Sequence, residues 1–114
     1  MIPKSEWVYY GFAGHFICAS RCAYHLNTRV GKYLISTVGA YRPTWDAEIE
    51  VIGASTHNDA FYETMVFPCE GEDIHGNPQR GEGEVENVRY ADSLAAEQGH
   101  RNMCDKYACL GEAQ

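Results

Sequence analysis

Uninterrupted apolar runs in this 114-residue chain are short, such as Trp7-Val8-Tyr9-Tyr10 and Tyr33-Leu34-Ile35. Both fall far short of the roughly 20 residues a bilayer-spanning helix needs, so no membrane span is expected. Positive charge is scarce too: nine Lys and Arg stand against sixteen Asp and Glu, for a net charge of -7. A net anion repels the phosphate backbone that dominates nucleic-acid affinity, which argues against broad DNA or RNA binding. The opening residues Met1-Ile2-Pro3-Lys4-Ser5-Glu6 lack the charged-then-apolar succession of a secretory signal, and a cytoplasmic location is the expectation. Catalytic signatures are missing as well. H-E-x-x-H, the nucleophile elbow, the P-loop and the dinucleotide fingerprint do not occur, and Pro68-Cys69 is followed by Glu70-Gly71-Glu72 rather than by the second cysteine of a zinc deaminase. An enzyme is therefore the less expected class.

What charge there is lies unevenly. Up to Pro43, five cations (Lys4, Arg21, Arg29, Lys32, Arg42) face Glu6 alone, for +4; beyond it, fifteen acids face Arg80, Arg89, Arg101 and Lys106, for -11. Such an acidic stretch is able to mimic nucleic acid toward a basic partner, although acidity also serves plain solubility. The five cysteines cannot all pair within one chain, and without a secretory signal metal binding outranks a disulfide framework.

One α+β domain over residues 1–114 is expected, its sheet of about four to five antiparallel strands packed on one C-terminal helix. Aromatic and branched residues suggest strands at Trp7 to Phe12 and His15 to Cys18. Tyr24 to Val30 and Tyr33 to Val38 flank Gly31-Lys32 as a hairpin, with Tyr24, Leu26, Thr28 and Val30 facing the core and His25, Asn27 and Arg29 facing away. Further strands are expected at Glu48 to Ile52 and Phe61 to Phe67, the latter ended by Pro68. Residues 69–88 hold four glycines, one proline and six acids, which reads as a long solvated loop. A helix over about 92–109 follows, capped by Asp92 or Ser93, with Ala96, His100, Met103, Cys104 and Tyr107 on one face. Gly99 is costly inside it unless something needs to approach the backbone there.

Cysteine and histidine gather at the two ends. His15, Cys18, Cys22 and His25 form H-x2-C-x3-C-x2-H, and His100 and Cys104 lie one helical turn apart. Cys18, Cys22, His100 and Cys104 together offer three thiolates and one imidazole, a set that suits a structural Zn²⁺ tying the N-terminal segment to the helix. His15 and Cys69 are the reserve ligands. His25 reads as a surface residue or one that supports a metal ligand from behind, Cys109 as packing or a free thiol, and His57 and His75 as loop residues. The competing reading of His100 and Cys104 is a hydrogen-bonded core histidine beside an inert core cysteine.

The stretches Gly14 to Cys18, Cys22 to Leu26, Val30 to Gly39 and Tyr62 to Phe67, with Gly99-His100 and Cys104, resemble small uncharacterised proteins of tailed phages and prophages. That resemblance brings no known activity. It implies a phage origin, and with that residence in the host cytoplasm. By analogy with small acidic phage proteins, and from the acidic bias, the stapled small scaffold and the missing catalytic motifs, a non-enzymatic interaction module that binds a host or anti-phage defence protein through the acidic 69–88 loop or an exposed sheet face is the leading expectation. Two alternatives stand beside it. One is a nucleotide-binding sponge, with Trp7, Tyr9, Tyr10, Tyr41 and Trp45 stacking on a base while Arg21, Arg29 or Arg42 meets phosphate. The other is a metal-dependent hydrolase, which would need an open coordination position.

Overall fold

In a computed structural model, which describes residues 1–10, 22–41, 48, 50–51, 61–76 and 78–112, the hairpin at Gly31-Lys32 forms the centre of the sheet. Strands β2 (Cys22–Val30) and β3 (Tyr33–Tyr41) pair antiparallel from Val30↔Tyr33 to Cys22↔Tyr41. Gly31 turns the chain at φ +61, in the region where a Cβ would be strained. The two-residue strand β1 (Val8–Tyr9) covers the end of β2, and β4 (Glu50–Val51) pairs with the end of β3. β5 (Tyr62–Glu72) lies along β3, with Thr37 opposite Thr64 and Ile35 opposite Val66. The chain then returns along the other edge of β5 as β6 (Pro78–Arg80) and β7 (Glu86–Tyr90).

Helix α1 (Ser93–Glu112) crosses one face of this sheet, so the architecture is α+β, as expected. Asp92 starts the helix by accepting the Ala95 N–H on its carboxylate at 2.8 Å. The expected face is the buried one: Ala96, His100, Met103, Cys104 and Tyr107 are all buried, and Ala108 joins them. They meet Val30, Ile35 and Val66, each fully buried and contributing roughly 1.5–3 kcal/mol through burial of its side chain. Gly99 has the close neighbour its position demands. A Cβ there would overlap the outer ring atoms of Tyr90 on β7, so the tyrosine packs directly on helix backbone.

Three expectations change. Pro68 does not end its strand. Its carbonyl accepts from Gly81 N–H at 2.7 Å, on the returning-chain side, and in a strand the N and C=O of one residue point to the same neighbour. The missing donor of Pro68 therefore costs β3 no hydrogen bond, and Cys69 N–H resumes bonding on the β3 side, to Lys32 O at 2.8 Å. Residues 69–88 are not one loop, because β5 continues to Glu72 and β6 and most of β7 follow. Backbone pairing to β5, including Val85 N–H to Val66 O at 2.8 Å, orders a segment whose side chains have little to bury. Finally, the second face of the sheet is not solvent-facing. Leu34, Val38 and Phe67 are buried on it together with His25, Asn27 and Ser36. His25 is thus an interior residue, its Nε2 3.0 Å from Ser36 Oγ. The strand expected at His15 to Cys18 lies outside the described residues, and of Glu48 to Ile52 only Glu50–Val51 is strand among them.

Candidate ligand groove

The N-terminal segment runs beside the helix and is fastened at two points. Ile2 N–H donates to Ala108 O at 3.0 Å, and the Trp7 indole N–H donates to Ile2 O at 3.3 Å. Both side chains pack against the core. A 3₁₀ turn at Lys4–Glu6 then delivers the chain to β1, where Tyr9 stands opposite Thr28 on the helix-facing side of the sheet. Between this strap and α1 lies a cleft of about 600 Å3, within the range of small-molecule sites. Trp7 and Tyr9 form one wall, Leu26 and Thr28 the floor, and Glu97, His100, Arg101 and Cys104 the other wall. A second cleft of about 350 Å3 shares Lys4, Trp7 and Arg101 with the first and adds Gln98 and Asp105. The two clefts adjoin at these three residues, the first, the inner chamber, carrying the aromatic rings and the second, its mouth, mostly charged groups.

The floor holds a chain of hydroxyls around one imidazole. Thr28 Oγ1 lies 2.9 Å from His100 Nε2, Thr37 Oγ1 lies 2.7 Å from Nδ1, and Thr64 Oγ1 lies 2.6 Å from Thr37 Oγ1. Thr28, Thr37 and Thr64 come from β2, β3 and β5, each at an inward strand position, so the sheet register brings Thr28 and Thr37 to one helical residue and Thr64 behind Thr37. Burial, and secondarily the nearby His25, lowers the His100 pKa to about 4, so the ring is neutral at pH 7. Burial raises the Cys104 thiol to about 12, with Asp105 adding to the rise and a hydrogen bond from Thr28 opposing it.

Thr28, His100 and Thr37 have the spacing of nucleophile, base and orienting group. Their chemistry does not match. A base of pKa about 4 accepts a proton poorly at neutral pH, and Thr37 carries no charge to stabilise the imidazolium that would form. Cys104, held protonated, is no better a nucleophile. The arrangement is a hydrogen-bonded interior floor whose polar groups satisfy one another.

The residues singled out in the sequence fall in different places. His100 and Cys104 come together on the buried helix face as expected. Cys18 and His15 lie outside the described residues. Cys22 opens β2 opposite Tyr41, six residues from Thr28, which at about 3.3 Å per residue puts its backbone roughly 20 Å along the strand from the hydroxyl at Nε2. Cys69 stands on β5, five residues past Thr64, with its thiol toward Gly71 O at 3.5 Å. Cys109 is exposed. Among the described residues no three His, Cys, Asp or Glu side chains come close enough to hold a metal ion. Of the aromatics, Trp7 and Tyr9 line the groove, whereas Tyr10 bonds Glu72 at 2.6 Å, which together with burial raises its pKa to about 12. Trp45, Arg21 and Arg42 lie outside the described residues. The groove's cations are instead Lys4 and Arg101, which no spacing in the sequence marks.

No protein-family model, curated protein or solved structure matches the chain, so the reading of the groove rests on its own residues.

Proposed function

We propose that this chain is a small non-enzymatic binding protein whose ligand site is the groove between the N-terminal strap and α1. The observation that carries the reading is the composition of the inner chamber. It offers Trp7 and Tyr9 as a ring-sized wall, Leu26 as apolar floor, and polar groups that already satisfy one another. Such a site selects by shape and stacking and supplies no activated group. Ring-bearing small molecules, nucleosides, nucleotides and aromatic amino acids among them, should raise the melting temperature and alter Trp7 emission. A ligand present at about 100 times its Kd should shift Tm by roughly 10 °C. Trp7→Ala should abolish the shift. A flat result across all these classes sinks the reading.

A second reading keeps the zinc staple, because His100 and Cys104 are adjacent, buried and both in contact with the Thr28 hydroxyl. Zinc at Cys18, Cys22, His100 and Cys104 would displace one hydroxyl from the imidazole, and its own charge would deprotonate the thiol that burial otherwise keeps neutral. It would also have to draw the start of β2 toward the helix. On this reading, protein purified without added metal carries about one zinc per chain, and Cys18→Ser and Cys104→Ser both lower that content and the stability. Metal-free protein that loses nothing to a chelator excludes it.

A further inference from the structure

The mouth of the groove bears charges of both signs in a particular state of pairing. Arg101 and Glu97 satisfy each other, Nη2 to Oε1 at 2.9 Å one helical turn apart. Lys4 and Asp105 both line the outer cleft, and among the described residues neither makes an ion pair. The Lys4 ammonium instead sits 5.8 Å from the centroid of the Trp7 ring, and Lys4 lines both clefts. One cation and one carboxylate thus face the same 350 Å3 space without meeting.

Resting on the groove reading above, we infer that its ligand is a small zwitterion bearing a planar ring, of the chemistry of an aromatic α-amino acid. The ring enters the inner chamber against the wall of Trp7 and Tyr9, the ligand carboxylate meets Lys4, and the ligand ammonium meets Asp105. Charge balance selects this class over a phosphate ester. A phosphate dianion would meet Lys4 and Arg101 but also Glu97 and Asp105, on a chain of net charge -7, so attraction and repulsion at the mouth would nearly cancel. A zwitterion uses both signs and asks the protein to bury no net charge.

Charge-deleted ligands tested against charge-deleted variants decide the matter. Tryptophan is titrated against tryptamine, which lacks the carboxylate, indole-3-propionate, which lacks the ammonium, and a nucleoside monophosphate. Each is measured by calorimetry on the full chain and on the exposed-site variants Lys4→Gln and Asp105→Asn. Tryptophan should bind about three- to fivefold more tightly than either single-charge analogue, as the one partly exposed ion pair that each analogue loses allows. Lys4→Gln should erase its advantage over tryptamine only, and Asp105→Asn its advantage over indole-3-propionate only. Equal binding of tryptophan and its analogues, or tighter binding of the nucleotide, overturns the zwitterion while leaving the groove intact. Binding of none of them, combined with a flat response to the wider ring panel, removes the groove itself.

Discussion

Acidification from pH 7 to pH 4 is expected to strip about 3 kcal/mol of stability from this fold through His100 alone. The folded-state pKa of His100 is lowered from 6.5 to about 4, so across that window the unfolded chain binds a proton that the folded chain refuses. Stability therefore rises with pH between those values. It is fully present above about 6.5 and lost progressively toward 4. The cause is the floor of the groove: a charged imidazole there would be desolvated, with His25 across the sheet opposing it secondarily and only neutral threonine hydroxyls on its two nitrogens. Carboxylates add to acid loss lower down. Glu86, held below the usual carboxylate range by the Lys106 ammonium and the Tyr107 hydroxyl, acts in the same direction. The comparison with His100→Gln isolates the histidine, because the amide hydrogen-bonds without titrating. Urea midpoints between pH 4 and 7 should fall steeply for the native chain and clearly less for the variant, which starts about 1–3 kcal/mol lower at pH 7. Parallel curves would mean that His100 can be protonated in place, and that the floor is wetter than its 5 % exposure indicates.

Where the fold is legible in the sequence, a local rule and the tertiary structure agree. Gly31-Lys32 announces a turn whose φ demands glycine. The helical spacing of Ala96, His100, Met103, Cys104 and Tyr107 marks a face that is buried throughout. Gly99 signals a close approach before its partner, Tyr90, is known. The failures share a cause. Composition describes what side chains can bury, whereas residues 69–88 are ordered by backbone hydrogen bonds to β5, which composition does not register. Alternation divides β2 into two faces correctly but does not say that both are covered, so His25 and Asn27 look solvent-facing when they are interior. The site divides in the same way. That His100 must find interior partners follows from its place on the helix. That those partners are Thr28 and Thr37, the latter backed by Thr64, requires the register of three strands, and that Lys4 and Asp105 share a cleft requires the path of the N-terminal strap.

Gly39→Ala is expected to cost roughly 2–3 kcal/mol and lower Tm by roughly 10 °C, although alanine is ordinarily the better residue in a strand. Gly39 lies on the helix-facing side of β3, and the ring of Tyr62 on β5 occupies the space its side chain would take. An added Cβ would overlap Cδ2, Cε2 and Cγ of that ring. Cγ is the root of the ring, fixed to its own Cβ, so Tyr62 cannot clear the intrusion by a small rotation and must change χ1 or push the strands apart. Gly99→Ala supplies the contrast. There the overlap is with Cε1, Cζ and OH of Tyr90, the far end of a half-buried side chain that swings toward solvent, and alanine recovers about 1 kcal/mol of helix propensity. The cost at Gly99 should therefore be small and that at Gly39 large, a difference that neither glycine's place in the sequence announces. A double-mutant cycle assigns the cause: in a Tyr62→Ala background Gly39→Ala should become nearly neutral or stabilising. If the penalty persists without the ring, the strain belongs to the backbone of β3, and the packing of Tyr62 on Gly39 is not what sets the residue at this position.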